Sequence, residues 1–148
     1  MRIALYQPDQ PGNVGTILRL GACFGTAIDI IEPCGFAYSD RALKRAGMDY
    51  REMASVTRHL DWDSFLQHLH GRIVLLTTAA NLPLADVKFA STDTILLGAE
   101  SSGVPDHVHD RADVRTRIPQ VPGTRSLNIA VAAGIGLAEA MRQTEGWP

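Results

Sequence analysis

Two short runs of apolar residues constrain the fold of this chain most strongly. Ile73–Leu76 and Thr94–Leu97 have the length of strands, and their side chains do not alternate between apolar and polar. Strands with this pattern are buried on both faces, which is typical of parallel strands covered by helices on each side. The two runs therefore predict an α/β domain with a mostly parallel sheet.

The remaining segments alternate in the same way. Arg2–Tyr6, Ala27–Ile31 and residues 112–118 are predicted strands. Helices are predicted after Asn13, in part of residues 40–53, over 61–70, and over 126–143, and Asn13 is a suitable N-cap residue. Strands that alternate with helices indicate a sheet with helices on both faces. At 148 residues the chain is predicted to be a single domain, residues 1–148, without a separate RNA-binding module.

Charge and cysteine usage exclude several classes of protein. The net charge of −2 is incompatible with coating nucleic acid through bulk positive charge. Cys23 and Cys34 are predicted to be reduced and buried, and no zinc-ligand spacing is present. No apolar run approaches the roughly 20 residues of a membrane span, and the start lacks the apolar core of a signal peptide. These features predict a cytoplasmic protein.

Basic residues are nevertheless clustered in two stretches. Each stretch could be a solvated face or a local surface for RNA, and the sequence leaves both interpretations open. The first stretch contains Arg41, Lys44, Arg45 and Arg51, and the second contains Arg111, Arg115, Arg117 and Arg125.

Three short motifs follow the predicted strands. They are residues 13–19 (NVGTILR), residues 98–105 (GAESSGVP), and Ile118-Pro119 followed by residues 126–128 (SLN). Ligands of parallel α/β sheets gather beyond the carboxyl ends of the strands, where all three motifs are expected. A dinucleotide-dependent oxidoreductase is excluded, because no Gly-x-Gly-x-x-Gly follows the first strand.

In this order the motifs resemble motifs 1, 2 and 3 of the SPOUT superfamily of S-adenosylmethionine-dependent RNA methyltransferases. Residues 4–8 (ALYQP), 30–37 (IIEPCGFA) and 45–50 (RAGMDY) look like the TrmL (YibK) branch. The resemblance implies methylation of the ribose 2′-hydroxyl of the wobble nucleotide of tRNA, a cytidine or uridine at position 34. It also implies a deep trefoil knot within roughly residues 73–148, S-adenosyl-L-methionine as cofactor, no metal, and a homodimer whose sites are completed across the subunit interface.

The resemblance also implies roles for individual residues. Arg19 is expected to orient the 2′-hydroxyl and stabilise charge on its oxygen, since a guanidinium is too basic to remove the proton readily. Asn13 is expected to fix the loop that presents Arg19, Glu100 to order motifs 1 and 2, and Asn128 to shape the pocket. The expected cofactor-binding residues are Leu76, Thr77, Gly98, Ile118 and Ser126, and the expected RNA contacts are Lys44, Arg45, Tyr50 and Arg125.

Two other functions remain open at this point. The same chemistry could act on another tRNA position or on rRNA, or the chain could be a non-catalytic RNA-binding module with this fold. Retention of Arg19, Glu100 and Asn128 argues against the second. Some relatives have Thr-Arg where this chain has Ser101-Ser102, and Asn-Leu-Ser-Asn where it has residues 128–131 (NIAV), so the exact nucleotide is not fixed by these positions.

Overall fold

A parallel β-sheet forms the centre of the protein. The computed structural model describes residues 1–37 and 55–148. Within these residues the sheet has seven strands in the order β3-β2-β1-β6-β4-β7-β5, and every neighbouring pair is parallel. The strands are β1 (Arg2–Tyr6), β2 (Ala27–Ile31), β3 (Val56–His59), β4 (Ile73–Leu76), β5 (Leu82–Pro83), β6 (Thr94–Leu97) and β7 (Val114–Arg117).

Helices cover both faces of this sheet. They are α1 (Pro11–Phe24), α2 (Trp62–Gln67), α3 (Asp106–Arg111) and α4 (Ile129–Thr144), with a 3₁₀ turn at Leu84–Asp86. Helices α1 and α4 pack over the face formed by Ile3, Leu5 and Ile95. The opposite face carries Trp62 and Phe65 of α2 and Val108 of α3. Since side chains along a strand alternate between faces, apolar residues at consecutive positions supply both cores, and the predicted fold class is confirmed.

Two predicted helix boundaries are wrong. Helix α1 begins at Pro11 with Gln10 as its N-cap, not at Asn13. Proline favours the first helical position because its φ is already helical and it lacks an N–H. The last helix begins at Ile129, so Ser126 lies outside it, while Asn128 is its N-cap. Asn13 therefore lies in the first turn of α1 and Asn128 is the cap of α4, so both side chains lie near the carboxyl ends of the strands.

Other differences are smaller. The predicted strand over 112–118 is shorter, β3 and β5 were not predicted, and the helix predicted within residues 40–53 lies outside the described residues. Among the helices of the described ranges, none has the length and apolarity to span a membrane. The single-domain organisation and the knot stay predictions.

The two cysteines differ in their surroundings. Both are free thiols, but Cys23 is exposed, so its predicted burial is wrong, and Cys34 is partly buried. Burial and the negative charge of Glu32 raise the pKa of Cys34 to about 11. A raised pKa favours the neutral thiol, and only the thiolate is strongly nucleophilic.

We expect Cys34 to react slowly with iodoacetamide near neutral pH in a Cys23→Ser protein. The rate should keep rising as the pH approaches about 11, because the thiolate fraction grows until the pH passes the pKa. Alkylation followed by mass spectrometry across a pH series measures this. A rate that levels off near pH 9, the ordinary pKa of a thiol, contradicts the expected environment.

Candidate functional site

A cavity of about 420 Å³ opens beyond the carboxyl ends of the central strands. Strands β6, β4 and β7 are neighbours in the sheet, so the segments that follow them meet at the same end of the strands. All five residues predicted to bind the cofactor line this cavity, as do Asn13, Glu100 and Asn128. The structure thus brings together three motifs that are far apart in sequence. The five predicted cofactor-binding residues are Leu76, Thr77, Gly98, Ile118 and Ser126.

A relay of side-chain hydrogen bonds joins the three motifs. The Asn13 Nδ2 group donates to Glu100 Oε1 at 2.9 Å, and the Asn128 Nδ2 group donates to Asn13 Oδ1 at 2.9 Å. The second oxygen of Glu100, Oε2, accepts from the backbone N–H of Asp9 at 2.8 Å. Asn13 is therefore the centre of the relay, with its donor and its acceptor both used.

The cap of α4 orients the last member of this relay. Asn128 Oδ1 accepts from the backbone N–H groups of Ala130 at 2.8 Å and Val131 at 3.4 Å. The same side chain therefore satisfies exposed donors at the start of the helix and fixes the direction of its own Nδ2 group. Asn128 is thus the N-cap of α4, and the cap explains why its amide points toward Asn13.

A tight turn forms the wall contributed by the second motif. Ala99 and Gly103 exchange two backbone hydrogen bonds, of 2.9 Å and 2.8 Å. A Cβ atom at Gly98 would lie 2.4 Å from the carbonyl carbon of Gly103, and Gly103 itself has φ +70°. Both positions therefore require glycine, one for close approach and the other for its left-handed backbone.

The cavity has the character of a pocket for a small organic molecule. Pockets for such ligands are mostly apolar, have volumes of about 300–1,000 Å³, and carry a few polar groups that fix orientation. Here Leu76, Leu97 and Ile118 supply apolar surface, and Gly98 allows the backbone of residues 98–103 to lie against the space. Among residues 1–37 and 55–148, no cluster of His, Cys, Asp and Glu is large enough to hold a metal ion. The residues present fit a nucleoside cofactor held by loops.

Arg19 lies apart from the other predicted catalytic residues. It is exposed on α1 and does not line the cavity. It follows Asn13 by six residues, which corresponds to about 9 Å along the helix and about 120° around it. Within one chain Arg19 is therefore not among the residues that line the cavity with Glu100 and Asn128.

Of the four residues predicted to contact RNA, Arg125 lies within the described ranges. Arg125 is exposed in the loop that precedes Ser126. Lys44, Arg45 and Tyr50, together with Arg41 and Arg51 of the first basic stretch, lie outside the described residues. In the second stretch Arg111 pairs with Asp113, and the Arg115 guanidinium donates to His109 Nδ1 at 3.2 Å.

Sequence reasoning missed several polar residues of the site. Gln10, Thr78 and Gln120 line the cavity, and Asp9 bonds to the loop of the second motif. Gln10 and Asp9 immediately precede the Pro11 that starts α1, so a correct placement of the N-cap would have indicated them. Thr78 and Gln120 lie in loops, where no sequence pattern indicates that they line a cavity.

Comparison with known proteins identifies the family. Residues 1–138 match the model of the SpoU rRNA methylase family. The chain belongs to this family. The match confirms the resemblance seen in the sequence, and the matched residues include all three motifs of this protein.

Several relatives are similar to this SpoU methylase over nearly its whole length. A tRNA (cytidine(34)-2'-O)-methyltransferase of Beijerinckia indica subsp. indica is 50% identical over 144 residues, covering 95% of this chain and 90% of the relative. A solved structure concerned with the 2-OH methylation of C/U34 on tRNA is 36% identical, with a TM-score of 0.90, and the alignment covers 96% and 94% of the two chains.

A third relative was solved with its cofactor bound. An AdoMet-bound rRNA methyltransferase from Sinorhizobium meliloti is 29% identical, with a TM-score of 0.84, over 95% of this chain and 55% of that one. AdoMet is S-adenosylmethionine. Members of the SpoU methylase fold therefore hold this cofactor, in agreement with the character of the cavity described above.

Removal of the Glu100 carboxylate tests the relay. We expect Glu100→Ala to lower methyl transfer at saturating substrates by about tenfold or more, because the Asn13 amide and the Asp9 N–H both lose their acceptor. Asp61→Ala is the control, since its carboxylate accepts from the Ser64 N–H at the start of α2, away from the cavity. Parental turnover in Glu100→Ala would show that the relay does not organise the site.

Proposed function

We propose that this protein is an S-adenosylmethionine-dependent tRNA (cytidine(34)-2′-O)-methyltransferase that acts in the cytoplasm. The observation that carries the proposal is the relay from Glu100 through Asn13 to Asn128, which closes the three motifs around one cavity. Relatives that are similar over nearly the whole chain are named for this reaction. Cytidine or uridine at position 34 is the substrate that these similarities support.

The protein's part in the reaction is mainly to position the two reactants. The cofactor supplies an electrophilic methyl group on a sulfonium. Leu76, Ile118 and the turn at Gly98 would hold its nucleoside, while Thr77 and Ser126 offer hydroxyl groups at the rim. Alignment of a bound pair is worth about 7–11 kcal/mol relative to a dilute encounter, so a rigid pocket contributes much of the acceleration.

Glu100 acts in this proposal as a positioning group. Each of its oxygens already accepts a hydrogen bond from the protein, one from Asn13 and one from Asp9. Both oxygens of the carboxylate are therefore engaged in holding protein groups in place. Its negative charge and fixed geometry maintain the wall between the cofactor cavity and the first motif.

Arg19 is proposed to act at the cavity of a partner subunit. It is exposed, it lies outside the cavity of its own chain, and it belongs to the motif that the family uses for catalysis. There its guanidinium would contact the substrate ribose or phosphate and stabilise negative charge on the 2′-oxygen. The reaction would then require a homodimer.

The outer surface of α4 supports this assembly. Val131 and Ile135 are 50% and 38% exposed, and nothing lies within 4 Å of the position of a Cβ at Gly134. Exposed apolar residues beside a small one allow close approach of a second helix, and isologous pairs are the commonest oligomers. Other small residues of α4 face inward, since Ala130 and Ala133 are buried in the core and Gly136 packs on Leu76 and Ile95.

Sedimentation should show a dimer of the parental protein. Val131→Lys should shift the equilibrium toward the monomer by about tenfold or more and lower activity at low protein concentration, since a buried unpaired charge is costly. Leu60→Lys is the matched control, because Leu60 is 81% exposed in the loop between β3 and α2. A fully active monomer at nanomolar concentration would contradict the shared site.

The RNA surface is proposed to include Lys44, Arg45, Tyr50 and Arg125. Arginine and lysine contacts to phosphate weaken as salt rises, and each lost contact reduces the salt dependence. Changes at Lys44 or Arg45 should therefore raise the Michaelis constant for tRNA with a smaller effect at saturating tRNA. Titration of tRNA at several salt concentrations separates this behaviour from a loss of catalysis.

A cellular experiment tests the proposed substrate. Ribose methylation should be mapped in total tRNA and rRNA from a strain that lacks this protein and from its parent. We expect loss of the methyl group at nucleotide 34 of one or a few tRNAs, restored by the parental gene. Loss confined to another tRNA position or to rRNA would support the alternative substrates of this family.

A further inference from the structure

The loop between β1 and α1 is fixed at every residue. Gln7 adopts a left-handed conformation with φ 46°, and its N–H donates to Ile31 O at 2.9 Å. The carbonyl of Pro8 accepts from the Gly35 N–H at 3.0 Å, and the carbonyl of Gln10 accepts from the first turn of α1. A non-glycine residue with this φ costs about 1–3 kcal/mol and persists only where its surroundings hold it. Asp9 lies at the middle of this restrained loop.

Asp9 joins this loop to the second motif by two hydrogen bonds of opposite direction. Its backbone N–H donates to Glu100 Oε2 at 2.8 Å, and its carboxylate Oδ2 accepts from the Ser101 N–H at 2.8 Å. Donor and acceptor are 91 residues apart in the first bond and 92 in the second. The two bonds hold consecutive residues of the turn at residues 98–103, which forms one wall of the cavity.

A third segment also reaches Asp9. A Cβ atom at Gly35 would lie 2.9 Å from Asp9 Oδ1 and 3.1 Å from its Cα. The loop after β2 therefore lies so close to Asp9 that a larger residue at position 35 would displace it. Asp9 is the point at which the loops after β1, β2 and β6 meet, and it does not itself line the cavity.

We propose that Asp9 is a positioning residue for methyl transfer, acting through the Ser101 N–H and the Glu100 carboxylate. This inference rests on the proposed function, since its consequence is measured as methyl transfer. Its carboxylate fixes the turn from one side while the relay to Asn13 fixes it from the other. Without that acceptor, Glu100 and the backbone of the turn no longer keep one position relative to the cofactor cavity. Misplacement by about 1 Å can cost a hundredfold in rate.

Three variants separate positioning from general stability. Asp9→Asn keeps an oxygen that accepts from Ser101 N–H, whereas Asp9→Leu has a similar size and no acceptor. Asp61→Leu is the matched control, because Asp61 Oδ1 accepts from the Ser64 N–H at 2.7 Å in the same manner at the start of α2. Gly35→Ala keeps the Asp9 carboxylate and displaces it, which provides a second variant should Asp9→Leu fold poorly.

Two quantities are measured for each variant. The first is the single-turnover rate at saturating tRNA and S-adenosylmethionine, with the Michaelis constant for tRNA. The second is amide hydrogen exchange of residues 98–103, which does not depend on activity. We expect Asp9→Leu to lower the rate by about tenfold to a hundredfold with a smaller change in the Michaelis constant and faster exchange at Ser101. Asp9→Asn should stay within about threefold of the parent, Asp61→Leu should match the parent, and Gly35→Ala should fall between.

The outcomes that overturn the inference are distinct from failure of the proposed function. If the parental protein methylates tRNA and Asp9→Leu turns over equally fast, or if Asp9→Asn is as impaired as Asp9→Leu, the acceptor role of Asp9 is wrong. Equal losses in Asp9→Leu and Asp61→Leu would show a general effect on stability and also overturn it. A parental protein that methylates no tRNA would instead refute the proposed function, and the positioning role with it.

Discussion

Replacing Arg19 with alanine is expected to lower the rate of methyl transfer by about two orders of magnitude or more, with the affinity for cofactor nearly unchanged. This is the scale of loss when one donor to a transition state is removed. Arg19 does not line the cavity of its own chain, so the cofactor pocket stays intact in the variant. Arg19→Lys should rescue the rate only partly, because an ammonium lacks the planar fork that contacts phosphate and ribose together.

Single-turnover methylation at saturating tRNA and cofactor measures this effect. Lys88→Ala is the control for loss of an exposed positive charge, since the Lys88 side chain is exposed and its backbone carbonyl contact to Arg72 is kept. A mixture of Arg19→Ala subunits with subunits that carry a defective cavity should regain activity if Arg19 acts across the interface. Parental turnover in Arg19→Ala would remove Arg19 from the mechanism.

A single methyl group added at Gly98 is expected to weaken binding of the cofactor by about a hundredfold. In Gly98→Ala the Cβ would lie 2.4 Å from the Gly103 carbonyl carbon and 2.7 Å from its oxygen, and both are backbone atoms of the same turn. To relieve this clash, Gly103 must move away, which strains the two hydrogen bonds between Ala99 and Gly103. Overpacking costs about 1–3 kcal/mol and occasionally more, so affinity should fall about a hundredfold.

Calorimetry with S-adenosylhomocysteine measures the affinity directly, and circular dichroism reports whether the fold is retained. Gly12→Ala is the matched control, because Gly12 lies in the first turn of α1 near the same site and nothing lies within 4 Å of its Cβ position. Parental affinity in Gly98→Ala would show that the turn is not part of the binding pocket.

The central part of the fold is predictable from the sequence because its strands are buried on both faces. β4 and β6 consist almost entirely of apolar residues, and both were predicted with their observed bounds. β3 escaped prediction because it lies at the edge of the sheet and contains Thr57 and Arg58, which remain exposed. β5 is only two residues long, which is too short for a period to be recognised.

The resemblance of the motifs to a family also predicted several of the residues that line the cavity, but it did not predict the hydrogen bonds that connect them. The motifs follow β1, β6 and β7, which belong to four consecutive strands of the sheet, so their meeting at the carboxyl ends follows from topology. The bonds of Asn13 to Glu100 and Asn128 span 87 and 115 residues and depend on side-chain direction. Asn13 was predicted to cap α1, yet the cap position is occupied by Gln10, and the Asn13 amide bonds to Glu100 and Asn128.

The position of Arg19 shows a further limit of reasoning from one chain. Helical periodicity directs Arg19 away from the core, since Val14, Ile17 and Leu18 occupy the buried side of α1. The same periodicity separates it from the cavity of its own chain. Its proposed catalytic role depends on a second subunit, which no pattern within the sequence specifies.

The most direct test is methylation of a purified tRNA by the purified protein, with the modified nucleotide located by mass spectrometry. Two substrates should be compared, one with cytidine and the other with 2′-deoxycytidine at nucleotide 34 and otherwise identical. We expect a single methyl group on the ribose of nucleotide 34 in the first substrate and none in the second. Equal methylation of both substrates, or a methyl group on a base or at another nucleotide, would contradict ribose 2′-O-methylation at the wobble position.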